Sequence, residues 1–223
     1  MMRNLNNLFS THNIGCSKDA NIYINSRSNK NITIYNAVDL QKYRKTDSAK
    51  NNIINIATIG RMSEQKNPLF IIDIIYELKK LRNDFKFTYI GAGDLFNEVK
   101  EKVKKLKCDD VISLLGYRND VDKILENIDF LLLPSRYEGL GIVLVEAQAM
   151  KVPCFISDII PNDADLGLCT KISLSNTARQ WAEIINNHIN NKTYNDKINT
   201  KKLNEYKIDN VMKKYESVYL GVI

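Results

Sequence analysis

Short apolar runs closed by glycine alternate along this chain with longer stretches whose apolar residues recur at helical spacing. Residues 53–59 (IINIATI) run into Gly60, residues 85–90 (FKFTYI) into Gly91 and Gly93, and residues 111–115 into Gly116. Residues 130–133 (FLLL) precede a turn holding Gly139 and Gly141, and two further runs lie at 153–157 (PCFIS) and, more weakly, at 171–174. The intervening stretches predict helices at 69–81, 94–107 and 120–126, then one reaching Met150, one carrying Trp181, Ile184 and Ile185, and a last at 208–220. Asn67 with Pro68, and Asp120, are the expected helix caps and starts. This alternation is the pattern of βαβ units, which places the chain in the α/β class: a Rossmann-like parallel sheet flanked by helices. In such sheets ligands bind beyond the carboxyl ends of the strands, where these glycines fall.

The segment before residue 51 differs. A strand at 13–16, a helix from Ser17 and a strand at 32–35 make one βαβ unit, too little for a domain. The expected division is therefore a small unit at 1–36, a linker at 37–52, the main unit at 53–205 and a C-terminal helix within 206–223. With 223 residues, 44% hydrophobic and 26% charged, the chain can bury a real core. Cys16, Cys108, Cys154 and Cys169 form no CxxC pair and read as reduced thiols. The opening MMRNLNNLFS has no apolar centre, and no window approaches the ~20 apolar residues that cross a bilayer. A cytoplasmic location is expected, with peripheral contact to the inner face of the membrane left open. The charge of +6 comes largely from lysines such as Lys100, Lys102, Lys104, Lys105 and Lys107, read first as a solvated helix face. No interleaving of aromatics with arginine supports nucleic acid as a partner.

Chemistry concentrates between Pro134 and Met150, where PSRYEGLGIVLVEAQAM follows a buried strand. A glycine turn opening a helix leaves N–H groups free at a positive helix end, which suits a phosphate. Glu138 on the turn and Glu146 in the helix can accept hydrogen bonds from sugar hydroxyls, so the arrangement suggests a sugar nucleotide. Neither His12 nor His188 needs a function, and no HxH, DxD or cysteine cluster supports a metal site.

Six pieces in order carry a resemblance: CSKDA at 16–20, IYNAVDLQKY at 34–43, IGRMSEQKNP at 59–68, YIGAGDL at 89–95, LLGYRNDV at 114–121 and LLPSRYEGLGIVLVEAQAMKVPC at 132–154. Together, with seven residues between the two glutamates, they resemble the C-terminal half of a retaining glycosyltransferase of family 4, built on the two-domain GT-B architecture. The resemblance runs from about Thr11 to near the end of the chain. It implies that Arg61 and Lys66, after Gly60, hold the donor diphosphate, where charge builds as the nucleoside diphosphate departs. It implies that Glu138 faces the transferred sugar and that Glu146 accepts from the ribose, while Gly139, Leu140, Gly141 and Ile142 offer N–H groups to the phosphates. Gly91 and Gly93 match a glycine pair of the family, though a plain strand-to-helix turn explains them as well. Tyr117 and Arg118 sit where the family positions the base, and Ser135 could touch a phosphate or cap the next turn.

The implied function is transfer of a sugar from a nucleotide sugar, UDP-linked by expectation, to a glycan or lipid-linked acceptor in polysaccharide biosynthesis. No cofactor or metal is expected. Residues 1–36 then read as a remnant of the acceptor-side domain, with the last helix crossing back towards it and Val211, Tyr215, Val218 and Tyr219 facing incomplete cover. A chain of this extent is expected to transfer poorly alone. The alternative is a non-catalytic nucleotide-sugar-binding subunit that docks a partner chain supplying the acceptor domain. A nucleotide-sugar epimerase shares the architecture, but the turn with Glu138 and Glu146 is not its signature.

Overall fold

The computed structural model describes residues 10–25, 30–43, 52–195 and 197–222. Of the expected small unit, residues 1–9 and 26–29 lie outside the described residues, as do residues 44–51 of the expected linker. The elements are β1 (Asn13–Gly15), α1 (Lys18–Asn25), β2 (Asn31–Thr33), β3 (Ile54–Ile59), α2 (Pro68–Leu81), β4 (Phe85–Ile90), α3 (Phe96–Lys105) and β5 (Ile112–Gly116). They continue as α4 (Val121–Glu126), β6 (Phe130–Leu133), α5 (Ile142–Ala149), β7 (Cys154–Ser157), β8 (Cys169–Ile172), α6 (Ala178–Asn191), α7 (Thr200–Asn204) and α8 (Ile208–Tyr219).

β1 and β2 form a two-stranded parallel sheet, and the other strands form a six-stranded parallel sheet in the order β5-β4-β3-β6-β7-β8. Starting at β3, the chain adds strands outward on one side, then returns past β3 and adds the rest on the other. This is the doubly wound strand order, and the crevice where the order reverses lies between β3 and β6. Side chains alternate between two cores along the central strands. Ile56, Phe130, Leu132 and Phe155 join α2, α3 and α6 on one face, and Ala57, Leu131, Leu133 and Ile156 join α5 on the other. β6 and β7 are buried throughout because helices cover both of their faces. On the first face Trp181 is fully buried, meets Phe70 edge-on at 6.1 Å and donates its indole N–H to Ser173 O at 3.0 Å.

Several local expectations are corrected. Asn67 and Asp120 do stand before α2 and α4, but neither side chain caps its helix. Asn67 adopts φ 54° and donates its amide to Pro134 O, and Asp120 is taken by Arg118. The last strand of the sheet is Cys169–Ile172 rather than 171–174, because pairing with β7 sets Cys154 beside Cys169. In α8 Val211 is buried and Tyr215 and Val218 are half-buried, while Tyr219 is exposed as expected, together with Ile208, Met212 and, just past the helix, Leu220. The four cysteines are free, as expected. No helix among the described residues is long and apolar enough to cross a membrane.

β1, α1 and β2 dock on the main sheet through Asp163. Its carboxylate accepts from Tyr35 OH at 3.1 Å and from Lys18 N–H at 2.7 Å, and its carbonyl accepts from Tyr206 OH at 2.6 Å. Tyr35 and Tyr206 stack with centroids 4.6 Å apart. Burial, reinforced by Asp163, pushes the Tyr35 phenol well above its ordinary pKa.

Two stability predictions follow from the packing. Trp181→Ala is expected to cost about 3–5 kcal/mol, since it opens a cavity and removes an indole donor. Because Trp181 is the chain's only tryptophan, urea melts followed by circular dichroism give the measurement. At Gly91, φ is +141° and a Cβ would lie 2.0 Å from Gly60 O. Gly91→Ala is therefore expected to lower the melting temperature strongly, whereas an unchanged melt would contradict this close approach.

Candidate functional site

The site is built from the chain leaving β3 and the chain leaving β6. After β3, Gly60 N–H bonds Ile90 O at 2.9 Å and Met62 N–H bonds Ala92 O at 3.1 Å, so the loops after β3 and β4 are laced together. Gly91 and Gly93 serve this lacing. A Cβ at Gly93 would meet Met62 O at 2.5 Å and the Arg61 stem at 2.9 Å. The plain-turn reading of these glycines thus has a direct packing cause. Gly60 lets Lys66 run back over the strand end, since a Cβ there would lie 3.1 Å from Lys66 Cε.

Between Gly60 and α2 the 3-10 turn Glu64–Lys66 docks on the loop after β6. Arg136 N–H bonds Gln65 O at 2.8 Å, and the Gln65 amide lies 3.1 Å from Tyr137 O and 3.4 Å from Glu138 Oε2. Lys66 Nζ reaches Glu138 Oε1 at 2.5 Å, with the two side chains only 17% and 5% exposed. Two sequence candidates separated by 72 residues are therefore in direct contact. Arg61 is exposed and has no acidic partner among the described residues.

The glycine turn follows. Gly141, at φ +79°, is the residue before α5, a conformation that side-chain-bearing residues adopt at a cost. Among the described residues, no carbonyl or side chain accepts from the N–H groups of Leu140, Gly141, Ile142 or Val143. These donors stand at the amino end of a helix, where the backbone dipoles add positive potential. Ser135, expected to touch a phosphate or cap this turn, caps nothing. Its Oγ is fully buried and finds no partner among the described residues, while its carbonyl accepts from Ser157 Oγ at 2.6 Å.

Glu146 lies half-buried in α5, and its Oε1 accepts from Tyr43 OH at 2.9 Å. Burial raises the pKa of this carboxyl, and the Tyr43 hydrogen bond partly offsets the rise. Tyr117 is 82% exposed, and Arg118 makes a bidentate pair with Asp120 at 2.8 and 2.6 Å. Sequence reasoning assigned no role to Gln65, Tyr43 or Ser17, although all three lie in the quoted pieces. Ser17 Oγ donates to Gly139 O at 2.5 Å, so the β1–α1 turn supports the glycine turn. Among the described residues no cluster of three metal-ligating side chains occurs.

Comparison with known proteins gives consistent results. EpsF of Bacillus subtilis (strain 168) is 31% identical over 186 residues, which are 76% of this chain and 48% of EpsF. The UDP-Gal:alpha-D-GlcNAc-diphosphoundecaprenol alpha-1,3-galactosyltransferase of Escherichia coli is 32% identical over 143 residues, 58% of this chain and 37% of that one. The chain thus spans about half or less of the length of these relatives. Among solved structures, HepE of Anabaena in complex with UDP and glucose superposes with a TM-score of 0.82 at 18% identity, covering 97% of this chain and 64% of that one. A TarM variant from S. aureus in complex with UDP gives 0.80 at 20% identity, covering 96% and 45%. These two likenesses establish the fold, a Rossmann-like half of the GT-B type. Residues 41–205 match the family described as Glycosyl transferases group 1, and the chain belongs to that family.

Proposed function

We propose that this chain is the donor-binding half of a retaining glycosyltransferase of family 4. It takes a UDP-linked sugar for transfer to a glycan or lipid-linked acceptor in polysaccharide biosynthesis. The observation that carries the reading is the meeting of Lys66 and Glu138 across the reversal point of the sheet, beside a helix start whose N–H groups are free. A departing nucleoside diphosphate accumulates negative charge, and fixed donors aimed at that charge lower the barrier. Arg61, Lys66 and the N–H groups of residues 139–142 supply those donors, so the reading needs no metal. Glu138 is placed towards the sugar and Glu146 towards the ribose. UDP as the nucleotide draws support from the UDP bound in HepE and TarM, and the lipid-linked acceptor from the name of the Escherichia coli relative.

Calorimetric titration with UDP and a panel of UDP-sugars tests the assignment. Arg61→Ala is expected to weaken UDP and UDP-sugars alike by about tenfold, the usual loss for a hydrogen bond to a charged group. Glu138→Ala is expected to erase the extra affinity that a UDP-sugar has over UDP. Unchanged affinities in both variants would sink the site.

A pH series tests the place of Glu146. Its raised pKa means that it protonates at a higher pH than an ordinary glutamate, so ribose binding is present above that pKa and lost as pH falls through it. The Tyr43 hydrogen bond lowers the pKa, and Tyr43→Phe should therefore move the acid-side loss of UDP affinity to higher pH. A loss at the same pH in both proteins would remove Glu146 from the ribose.

A further inference from the structure

The two candidate cations of the site are in different states. Arg61 is exposed and has no acidic partner among the described residues, whereas Lys66 is already paired. The Lys66–Glu138 pair is far more enclosed than a surface pair such as Lys104–Glu101, whose side chains are 56% and 73% exposed. Enclosed charges support each other, and removing one leaves the other uncompensated. An incoming diphosphate competes with the carboxylate for Lys66, because two anions crowding one ammonium repel each other.

The surroundings permit displacement of the carboxylate. Lysine carries its charge on a flexible stem, and the Lys66 stem lies along Gly60 without a side chain in its way. Glu138 does not become stranded, because its other oxygen faces the Gln65 amide at 3.4 Å. Gln65 is itself fixed by its bonds to Tyr137 O and Arg136 N–H. The carboxylate oxygen that Lys66 leaves then needs a new donor, and sugar hydroxyls are donors of the right kind.

We propose that Glu138 is the built-in counter-ion of Lys66 and that the donor binds by exchange. The diphosphate takes Lys66, and the hydroxyls of the sugar take the carboxylate oxygen that Lys66 gives up. The proposal rests on the diphosphate reading of the site and goes beyond it, because it makes Glu138 a competitor of the phosphates. A sugar nucleotide satisfies both released groups, while UDP alone satisfies Lys66 and leaves Glu138 short of a donor. The site therefore favours the sugar nucleotide over the spent nucleotide, which helps the latter to leave.

The test is titration of the protein with UDP, together with a structure of the UDP complex. Glu138→Gln keeps the shape and removes the competing charge, so it is expected to bind UDP roughly fivefold more tightly than the natural protein. Lys66→Ala is expected to bind UDP about tenfold more weakly. In the UDP complex Lys66 Nζ should lie about 3 Å from a phosphate oxygen and no longer bond Glu138. If Lys66→Ala and Arg61→Ala both leave UDP affinity unchanged, the diphosphate reading itself fails. If Lys66→Ala weakens binding but Glu138→Gln does not strengthen it, or the ion pair persists with UDP bound, the exchange is overturned and the site reading stands. The structure of the complex decides the matter even if Glu138→Gln folds poorly.

Discussion

β3 and β6 pair over two residue positions, Ile56 with Phe130 and Ala57 with Leu131, and then their chains part in opposite directions. That short contact is where the strand order reverses, and it opens a crevice without any residue being devoted to making one. From β3 the chain turns towards β4 through Gly60 and delivers Arg61 and the Glu64–Lys66 turn. From β6 it turns towards β7 and delivers Glu138 and the amino end of α5. Both loops then close on each other through Arg136 N–H to Gln65 O and Lys66 to Glu138. A cation, a carboxylate and free N–H groups meet because two parallel strands with diverging connections are neighbours in the sheet.

The sequence carried the elements well because each is specified locally. Apolar runs of four to seven residues, the first three closed by glycine, and the helical period between them survive in the fold as β3, β4, β5, β6 and β7 with α2, α3 and α6. What the sequence obscured depends on partners far away along the chain. β8 sits two residues earlier than its hydrophobicity suggests because β7 decides its register through Cys154 and Cys169. Asn67 and Asp120 have the chemistry of caps, yet Pro134 O and Arg118 compete for their side chains and win. Local propensity offers a capping bond worth about a kilocalorie, which a tertiary partner can replace.

The same divide runs through the site. Arg61, Lys66, Glu138 and the glycine turn are visible as residue types at strand ends, where chemistry and position agree. Gln65, Tyr43 and Ser17 are ordinary polar residues until the fold brings each to its partner, 73 residues away at Glu138, 103 at Glu146 and 122 at Gly139. Their contribution is orientation rather than charge, and orientation leaves no mark in composition or period. Gly91 and Gly93 show the reverse case. A glycine pair beside a strand end invites a ligand reading, and their closest neighbours prove to be Gly60 O and Met62 O.

Ser17 and Tyr43 also bear on how the glycine turn is held. Both belong to the segment before the six-stranded sheet, whose own β1–β2 pair is too small to be stable by itself. Asp163 holds that pair in place from three directions, through Tyr35, Lys18 N–H and Tyr206, and Tyr206 belongs to the segment leading into α8. The turn that carries Glu138 is thus braced on one side by the sheet it leaves and on the other by a segment whose anchorage depends on the far end of the chain. Asp163 is linked to the turn through adjacent residues, since it accepts from Lys18 N–H while the neighbouring Ser17 donates to Gly139 O. The loop before α5 is therefore held from both sides, by Ser17 at Gly139 O and by Gln65 and Lys66 at Tyr137 O and Glu138, because elements far apart in the chain converge on it.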